Sequence, residues 1–177
     1  MRRRLSILPL LLAAGLVHAQ AASGLFVQAF PAAPSHGLKD QVDERLGFGL
    51  AGGWWSENDT LPFRVRVLVQ AWPRGSVQDL PGTSSRVSDA AVALEMVSEG
   101  APQSRIYGAL GLAADHWVVE LPGVPAVRTT HLSGTAAIGY RLPNGPFFEI
   151  ASKRGAFLAG REAETLSLSA GYRFGGR

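Results

Sequence analysis

The segment Phe63-Arg64-Val65-Arg66-Val67-Leu68-Val69-Gln70-Ala71-Trp72 carries the pattern that decides the fold. Every second residue from Phe63 to Ala71 is apolar, and the residues between them include Arg64 and Arg66. Because successive side chains of a β-strand point to opposite faces, a period of two predicts a strand with one apolar and one charged face. We therefore predict a strand over 62–72.

The same alternation recurs along the chain and is nearly as regular from Leu166 to Phe174. No segment shows a convincing helical period, so the sequence predicts an all-β protein with eight strands. The predicted strands are 24–30, 45–55, 62–72, 88–97, 104–114, 131–142, 147–155 and 165–174.

The connections between these strands alternate in length. Each odd-numbered connection is longer than each even-numbered one: 31–44, 73–87, 115–130 and 156–164 against 56–61, 98–103 and 143–146. Within the last of these, Asn144-Gly145 is a turn signal because both residue types readily adopt positive φ. Short turns at one end and longer loops at the other are typical of outer-membrane barrels. The apolar segment 115–130 is expected to extend its strands beyond the membrane, with a contact surface as the alternative.

Aromatic residues cluster near the predicted strand ends. Amphipathic rings favour the headgroup layer of a membrane, so two aromatic girdles are expected, whereas a soluble β domain would place more rings in mid-strand. The turn-end set is Trp54, Trp55, Phe63, Tyr140, Phe147, Phe148, Tyr172 and Phe174, and the loop-end set is Phe30, Trp72, Trp117 and Phe157.

The amino terminus has the composition of a secretory signal peptide. Arg2, Arg3 and Arg4 precede the apolar run Leu5–Val17, and Ala19-Gln20-Ala21 supplies small residues for cleavage. The run is too short to span a bilayer as a helix, which needs about 20 residues. We predict a signal peptide at 1–21, cleaved after Ala19 or Ala21, and a barrel domain at 22–177.

Composition excludes several classes of protein. The chain has 177 residues and a formal net charge of +3, and removal of Arg2, Arg3 and Arg4 leaves equal numbers of basic and acidic residues. A nucleic-acid binder would need a basic surface that this chain lacks, so no nucleic-acid partner is expected. The absence of Cys excludes disulfides, thiolate metal sites and a Cys nucleophile.

The two faces of the strands have different expected environments. An Arg that faces lipid near the bilayer midplane costs about 2–4 kcal/mol, so Arg64 and Arg66 should point into the barrel and the face from Phe63 to Ala71 outward. Eight strands enclose an interior that side chains can fill, so no open pore is expected. The predicted charge network of the lumen is Arg64, Arg66, Asp89, Glu95, Arg141, Glu149, Lys153 and Arg173.

The signal peptide, the eight segments and the ending Leu166–Phe174 together resemble a small bacterial outer-membrane β-barrel of the OmpA-membrane-domain or OmpX type. The resemblance implies a closed, eight-stranded, antiparallel, up-and-down transmembrane barrel in the bacterial outer membrane. It also implies a monomer in contact with outer-membrane lipid, and a structural, adhesive or envelope-integrity role. Tyr172 and Phe174 resemble the signal read by the barrel-assembly machinery, although Gly175-Gly176-Arg177 follows where such chains usually end.

An enzymatic alternative follows from a looser resemblance to the lipid A deacylase PagL. That family carries His-x-Ser on its penultimate strand and a Glu before its last strand. Here Glu164 occupies the place of the acid, but His131-Leu132-Ser133, followed by Glu149, lies on a different strand. The catalytic candidates are thus His131, Ser133 and Glu149 for a lipid A acyl hydrolase, and a polar lumen rim is the simpler interpretation.

Two further hints complete the sequence evidence. Trp54–Asp59 resembles part of the YfaZ family of outer-membrane proteins. Asp115, His116 and Glu120 have metal-ligating side chains, but no second His stands at ligand spacing, so neither a metal nor a cofactor is expected. The remaining alternative is a soluble periplasmic β-barrel that acts as a binding module, in which the apolar faces would point inward.

Overall fold

The computed structural model describes residues 24–36, 38–42, 45–56, 62–77, 80–99, 104–156 and 162–175. The predicted signal peptide at 1–21 lies outside these ranges. No helix among the described residues is long and apolar enough to cross a membrane.

Eight antiparallel strands form one closed barrel in which each strand pairs with its neighbours in sequence and β8 pairs with β1. The predicted fold class is therefore confirmed. The strands are β1 (Leu25–His36), β2 (Gly47–Trp55), β3 (Phe63–Val77), β4 (Leu80–Glu99), β5 (Ile106–Glu120), β6 (Val127–Arg141), β7 (Pro146–Ala156) and β8 (Glu162–Arg173).

The alternation of the sequence appears directly as alternation of burial. On β3, Arg64 is 0% exposed and Arg66 4%, whereas Val69, on the opposite face, is 52% exposed. The same holds on β8, where Ser169 is buried and Leu168 is exposed. The polar faces therefore line the barrel lumen, and the apolar faces form its outer surface.

The predicted strand limits at one end of the barrel are wrong. We call this the loop end, where β3 joins β4 and β5 joins β6, and the opposite end the turn end. The segment 73–87 was expected to be a long loop, yet β3 continues to Val77 and β4 already begins at Leu80. In 115–130, β5 continues to Glu120 and β6 begins at Val127, as the strand-extension interpretation predicted. The asymmetry between the two ends therefore lies in strand length more than in loop length.

A short helix, α1 (Lys39–Val42), lies in the connection between β1 and β2, where no helix was predicted. Leu38 and Val42 are fully buried and pack against Trp72 and Trp117 at the loop end of the lumen. Gly75 on β3 permits this approach, because a Cβ there would lie 2.6 Å from the Val42 carbonyl oxygen. The segment thus covers the loop end of the barrel from inside.

The turn between β6 and β7 follows its sequence signal. Asn144 and Gly145 both have positive φ, at 69° and 104°, and the Leu142 amide donates to the Pro146 carbonyl over 2.8 Å. A Cβ at position 145 would lie 2.3 Å from the Arg173 carbonyl oxygen. Glycine is required there both for conformation and for space.

The predicted loop-end girdle does not form, and the turn-end girdle forms only in part, because Trp55 and Phe147 of that set are buried in the lumen. At the loop end, Phe30, Trp72 and Trp117 are buried in the lumen, while Phe48 is 69% exposed on the outer face. Phe157 lies outside the described residues. These rings point inward because they share a strand face with the charged lumen residues. The turn-end rings that project outward are Trp54, Phe63, Tyr140, Phe148, Tyr172 and Phe174.

Candidate functional site in the barrel lumen

The centre of the lumen holds two arginines and two glutamates, which we call the inner cluster. Arg64 Nε donates to Glu95 Oε2 over 2.7 Å, and Arg64 Nη1 donates to Glu149 Oε2 over 2.5 Å. Arg66 Nη1 donates to Glu149 Oε1 over 3.0 Å, and Arg66 also pairs with Glu95. The Tyr107 hydroxyl donates to Glu149 over 2.9 Å. The charges of the inner cluster therefore balance.

Strand register explains how the inner cluster assembles. Arg64 and Arg66 lie two residues apart on the lumen face of β3, and Glu95 stands directly opposite Arg64 on β4. Glu149 reaches them from β7, on the far side of the lumen. A buried ion pair stabilises a protein only when hydrogen bonds satisfy its remaining polar atoms, so the multiple contacts of each carboxylate matter here.

A second group, the outer cluster, lies nearer the loop end. Lys153 Nζ donates to Asp115 Oδ1 over 2.5 Å and also to Asp89. Gln70 Nε2 donates to Asp89 Oδ2 over 2.9 Å, and the Ser133 hydroxyl donates to Asp115. Lys153 Nζ also lies 4.8 Å from the centre of the Trp117 ring. Strands β3 to β7 are thereby connected through the lumen.

Two predicted lumen residues lie at the turn end, around Trp55. The Arg141 and Arg173 guanidinium carbons lie 5.4 Å and 5.1 Å from the centre of the Trp55 ring. Arg141 also pairs with Glu99 at 2.5 Å. Cations over an indole face gain electrostatic stabilisation, which compensates part of their desolvation.

Sequence reasoning missed two acidic residues of the lumen. Asp115 and Glu99 were not among the predicted lumen charges, and Asp115 was assigned to a loop. With both included, five basic and five acidic residues lie among the described lumen positions. The signal for Asp115 was present, because Ala109, Gly111 and Ala113 place it on the lumen face if β5 simply continues.

Hydrophobic layers fill the lumen on both sides of the charges. At the turn end, Trp55 contacts Tyr107, Phe147 and Phe26 in edge-on geometry with ring centres 4.7, 6.1 and 6.4 Å apart. At the loop end, Trp72 stacks on Trp117 at 5.9 Å, and the Trp72 indole donates to the Ala32 carbonyl over 3.2 Å. Leu38, Val42 and Phe30 complete that layer.

The catalytic candidates are not brought together. Ser133 is hydrogen-bonded to Asp115, whereas the Glu149 carboxylate is held by the inner cluster. The His131 Nε2 atom has no hydrogen-bond partner among the described residues. Glu164 lies outside the lumen, where it accepts hydrogen bonds from Ser35 at 3.0 Å and Ser152 at 3.1 Å. A hydrolase needs a nucleophile bonded to its base and a base oriented by an acid, and this arrangement does not supply either contact.

The residues considered for metal binding also lie apart, because their side chains point to opposite faces of the barrel wall. Asp115 is buried in the lumen, and its neighbour His116 is exposed on the outer face. Within the described part of the chain, no group of three or more His, Cys, Asp or Glu side chains is arranged to hold a metal ion.

Comparison with solved structures identifies the fold. Neisserial surface protein A (NspA) matches with a TM-score of 0.58 and 17% identity over 86% of this chain and 98% of that one. Ail, the attachment invasion locus protein of Yersinia pestis, matches with a TM-score of 0.54 and 17% identity over 85% of this chain and 97% of that one. The chain has the eight-stranded fold of the small outer-membrane β-barrels. No protein-family model matches the sequence, and no curated protein matches it.

Proposed function

We propose that this chain is a structural and adhesive protein of the bacterial outer membrane, with a filled lumen and a β-sheet displayed beyond the outer leaflet. The observation that carries the proposal is the inversion of the usual burial pattern. Leu110, Leu132 and Leu168 are 68%, 71% and 59% exposed on the outer face, while four basic and four acidic residues are buried inside. Such an outer surface is unfavourable in water and favourable in hydrocarbon.

The soluble alternative is disfavoured by the same pattern. A soluble periplasmic barrel would place its apolar faces inward and leave its charges in water. Here Arg64 and Glu95 are both 0% exposed while the leucines of the outer face are exposed, so in water the chain would desolvate its charges and leave its apolar surface hydrated. Placing the barrel in a membrane removes the contradiction.

Strand length supports display at the cell surface. A strand needs about 9–11 residues to cross a bilayer, whereas β4 has 20 residues and β3, β5 and β6 have 15 each. The excess of β5 and β6 reaches the headgroup layer, and the excess that continues beyond it, β3 73–77 and β4 80–85, forms what we call the display sheet. We propose that it contacts extracellular partners, an attachment role of the kind that the name of Ail describes.

Biogenesis would use the last strand. Tyr172 and Phe174 project outward at the turn end, where they are 42% and 47% exposed and their ring centres lie 5.0 Å apart. We propose that the barrel-assembly machinery reads this pair, and that the folded barrel is a monomer surrounded by outer-membrane lipid.

Localisation and orientation can be tested together. Epitope tags would be inserted at 78–79, in the β3–β4 connection, and at 144–145, in the β6–β7 turn. We expect the protein in the outer-membrane fraction with a heat-dependent gel shift, and antibody labelling of intact cells at the first tag only. Recovery in the soluble periplasmic fraction, or labelling only of the second tag, would overturn the proposal.

A further inference from the structure

The outer wall of the barrel carries a groove of about 760 Å³ that crosses β1 to β5 near the loop end. Its floor is formed by small residues on β3 and β4, namely Ala71, Ser88 and Ala90. Larger side chains stand on both sides, with Phe48 on β2 and Val118 on β5. The wall is therefore concave at a level where a barrel surface is ordinarily convex.

The groove follows two adjacent rows of outward side chains, and both rows end on polar residues. In one row, Ser88 is opposite Val118 and Val118 is opposite Arg128 on β6. In the other, Ala90 is opposite His116 and His116 is opposite Thr130. Towards β1 and β2 the rows stay apolar, so the groove begins within the apolar belt and ends at its polar boundary.

The polar end of the groove carries two arginines and, directly opposite one of them on β5, the carboxylate of Glu120. Arg128 is exposed on the outer face beside Val118, and Arg86 is exposed two residues before Ser88 on the same face of β4. Neither arginine has an ion-pair partner among the described residues. His116, opposite Ala90, lines the groove, and its Nδ1 atom lies 3.1 Å from the Thr130 hydroxyl.

We propose that this groove binds an acyl chain of a phosphate-bearing lipid of the outer leaflet, with the phosphate beside Arg128 and Arg86. The inference rests on the proposed placement of the barrel in the outer membrane. A flexible chain can follow a shallow, open concavity that spans five strands, whereas the wall of a second barrel is convex and rigid and would bridge over it. Arginine binds phosphate through paired hydrogen bonds, which matches the two arginines at the polar end.

Lipid A and phosphatidylcholine serve as probes of this site, because the first carries phosphates without a compensating charge. The refolded barrel in detergent micelles would be titrated with each lipid, and bound lipid counted by native mass spectrometry. We expect one lipid A to bind tightly. Ala90→Phe, which fills the floor, should weaken its binding at least tenfold, and Arg86→Gln/Arg128→Gln should weaken lipid A several-fold without changing phosphatidylcholine.

The matched control is Ala136→Phe, the same substitution at an exposed, outward position of β6 outside the groove. All of these side chains face outward, so folding should be retained and can be checked by the gel shift. Unchanged lipid A binding in Ala90→Phe, or an equal loss of binding in Ala136→Phe, would overturn the assignment of the lipid site to this groove. Equal effects of the arginine changes on both lipids would overturn the phosphate contact. A barrel missing from the outer membrane would instead refute the proposed function.

Discussion

Val67 lies at the middle of β3 with its side chain on the outer face, opposite Gly52 on β2 and Val92 on β4. If this face meets hydrocarbon, Val67→Arg should destabilise the folded barrel by about 2–4 kcal/mol. Val67→Leu keeps the side chain apolar and should be tolerated. Urea unfolding of the two variants in lipid vesicles measures the difference. Equal yields and equal midpoints would contradict the assigned face.

Glu149 shows the cost of removing one partner from the inner cluster. Glu149→Gln keeps the shape but leaves Arg64 and Arg66 with one carboxylate between them, and breaking a buried pair in this way costs about 3–5 kcal/mol. We expect a clear fall in the urea midpoint of the folded barrel.

The same substitution in an exposed pair provides the control for Glu149→Gln. Glu162 pairs with Arg154, and both side chains are more than half exposed, at 55% and 54%. Water and salt screen such a pair, so Glu162→Gln should leave the midpoint nearly unchanged. A comparable fall in both variants would show that the location of the charge in the lumen is unimportant.

At the residue scale, most lumen positions could be predicted from the sequence because alternation assigns every second side chain to one face. Which of these charged side chains pair with each other could not be predicted in this way. Glu149 meets Arg64 across the barrel from β7, and no local spacing encodes a contact between strands on opposite sides of a lumen. Asp115 lies beyond the predicted strand for a different reason, because alternation alone does not show that β5 continues to Glu120.

At the scale of the element, the strand limits at the loop end show what alternation alone does not decide. Pro73, Gly75 and Pro81 in the segment 73–87 predict a loop by composition. Strands β3 and β4 nevertheless continue to pair as far as Val77 and Leu80, with register shifts after Trp72 and after Ser76. Pairing with a neighbouring strand and packing against α1 outweigh the local turn propensity there.

The helix α1 offers a test at the same scale. Gly75→Ala would place a Cβ 2.6 Å from the Val42 carbonyl oxygen and should displace α1 from the lumen. We expect increased quenching of tryptophan fluorescence by acrylamide, because Trp72 and Trp117 lose their cover, and a lower urea midpoint.

Gly134→Ala is the matched control for Gly75→Ala, because the nearest atom to a Cβ at position 134 lies 3.9 Å away. Position 134 is on the outer face of β6, so this variant should match the unmodified protein in both measurements. Increased quenching in both variants, or in neither, would contradict the role of Gly75 in seating α1.

At the scale of the whole molecule, four successive levels fill the lumen. From the turn end to the loop end they are the aromatic rings around Trp55, the inner cluster, the outer cluster and the hydrophobic layer around Trp72 and Trp117. Since eight strands leave little more than the space that side chains occupy, each level is expected to block ions independently. We therefore predict no conductance steps when the purified barrel is inserted into planar bilayers.

Because each level is expected to block ions, a variant that lacks part of one level tests the filled lumen by conductance more stringently than the unmodified protein does. Trp72→Ala/Trp117→Ala removes the two largest side chains of the loop-end level, yet the inner cluster and the rings around Trp55 still fill the lumen below it. The variant should therefore remain closed. A porin inserted under the same conditions verifies that pores are detectable. Stable open steps in the double variant would show that the loop-end layer alone closes the barrel, and steps in the unmodified protein would refute the filled lumen itself.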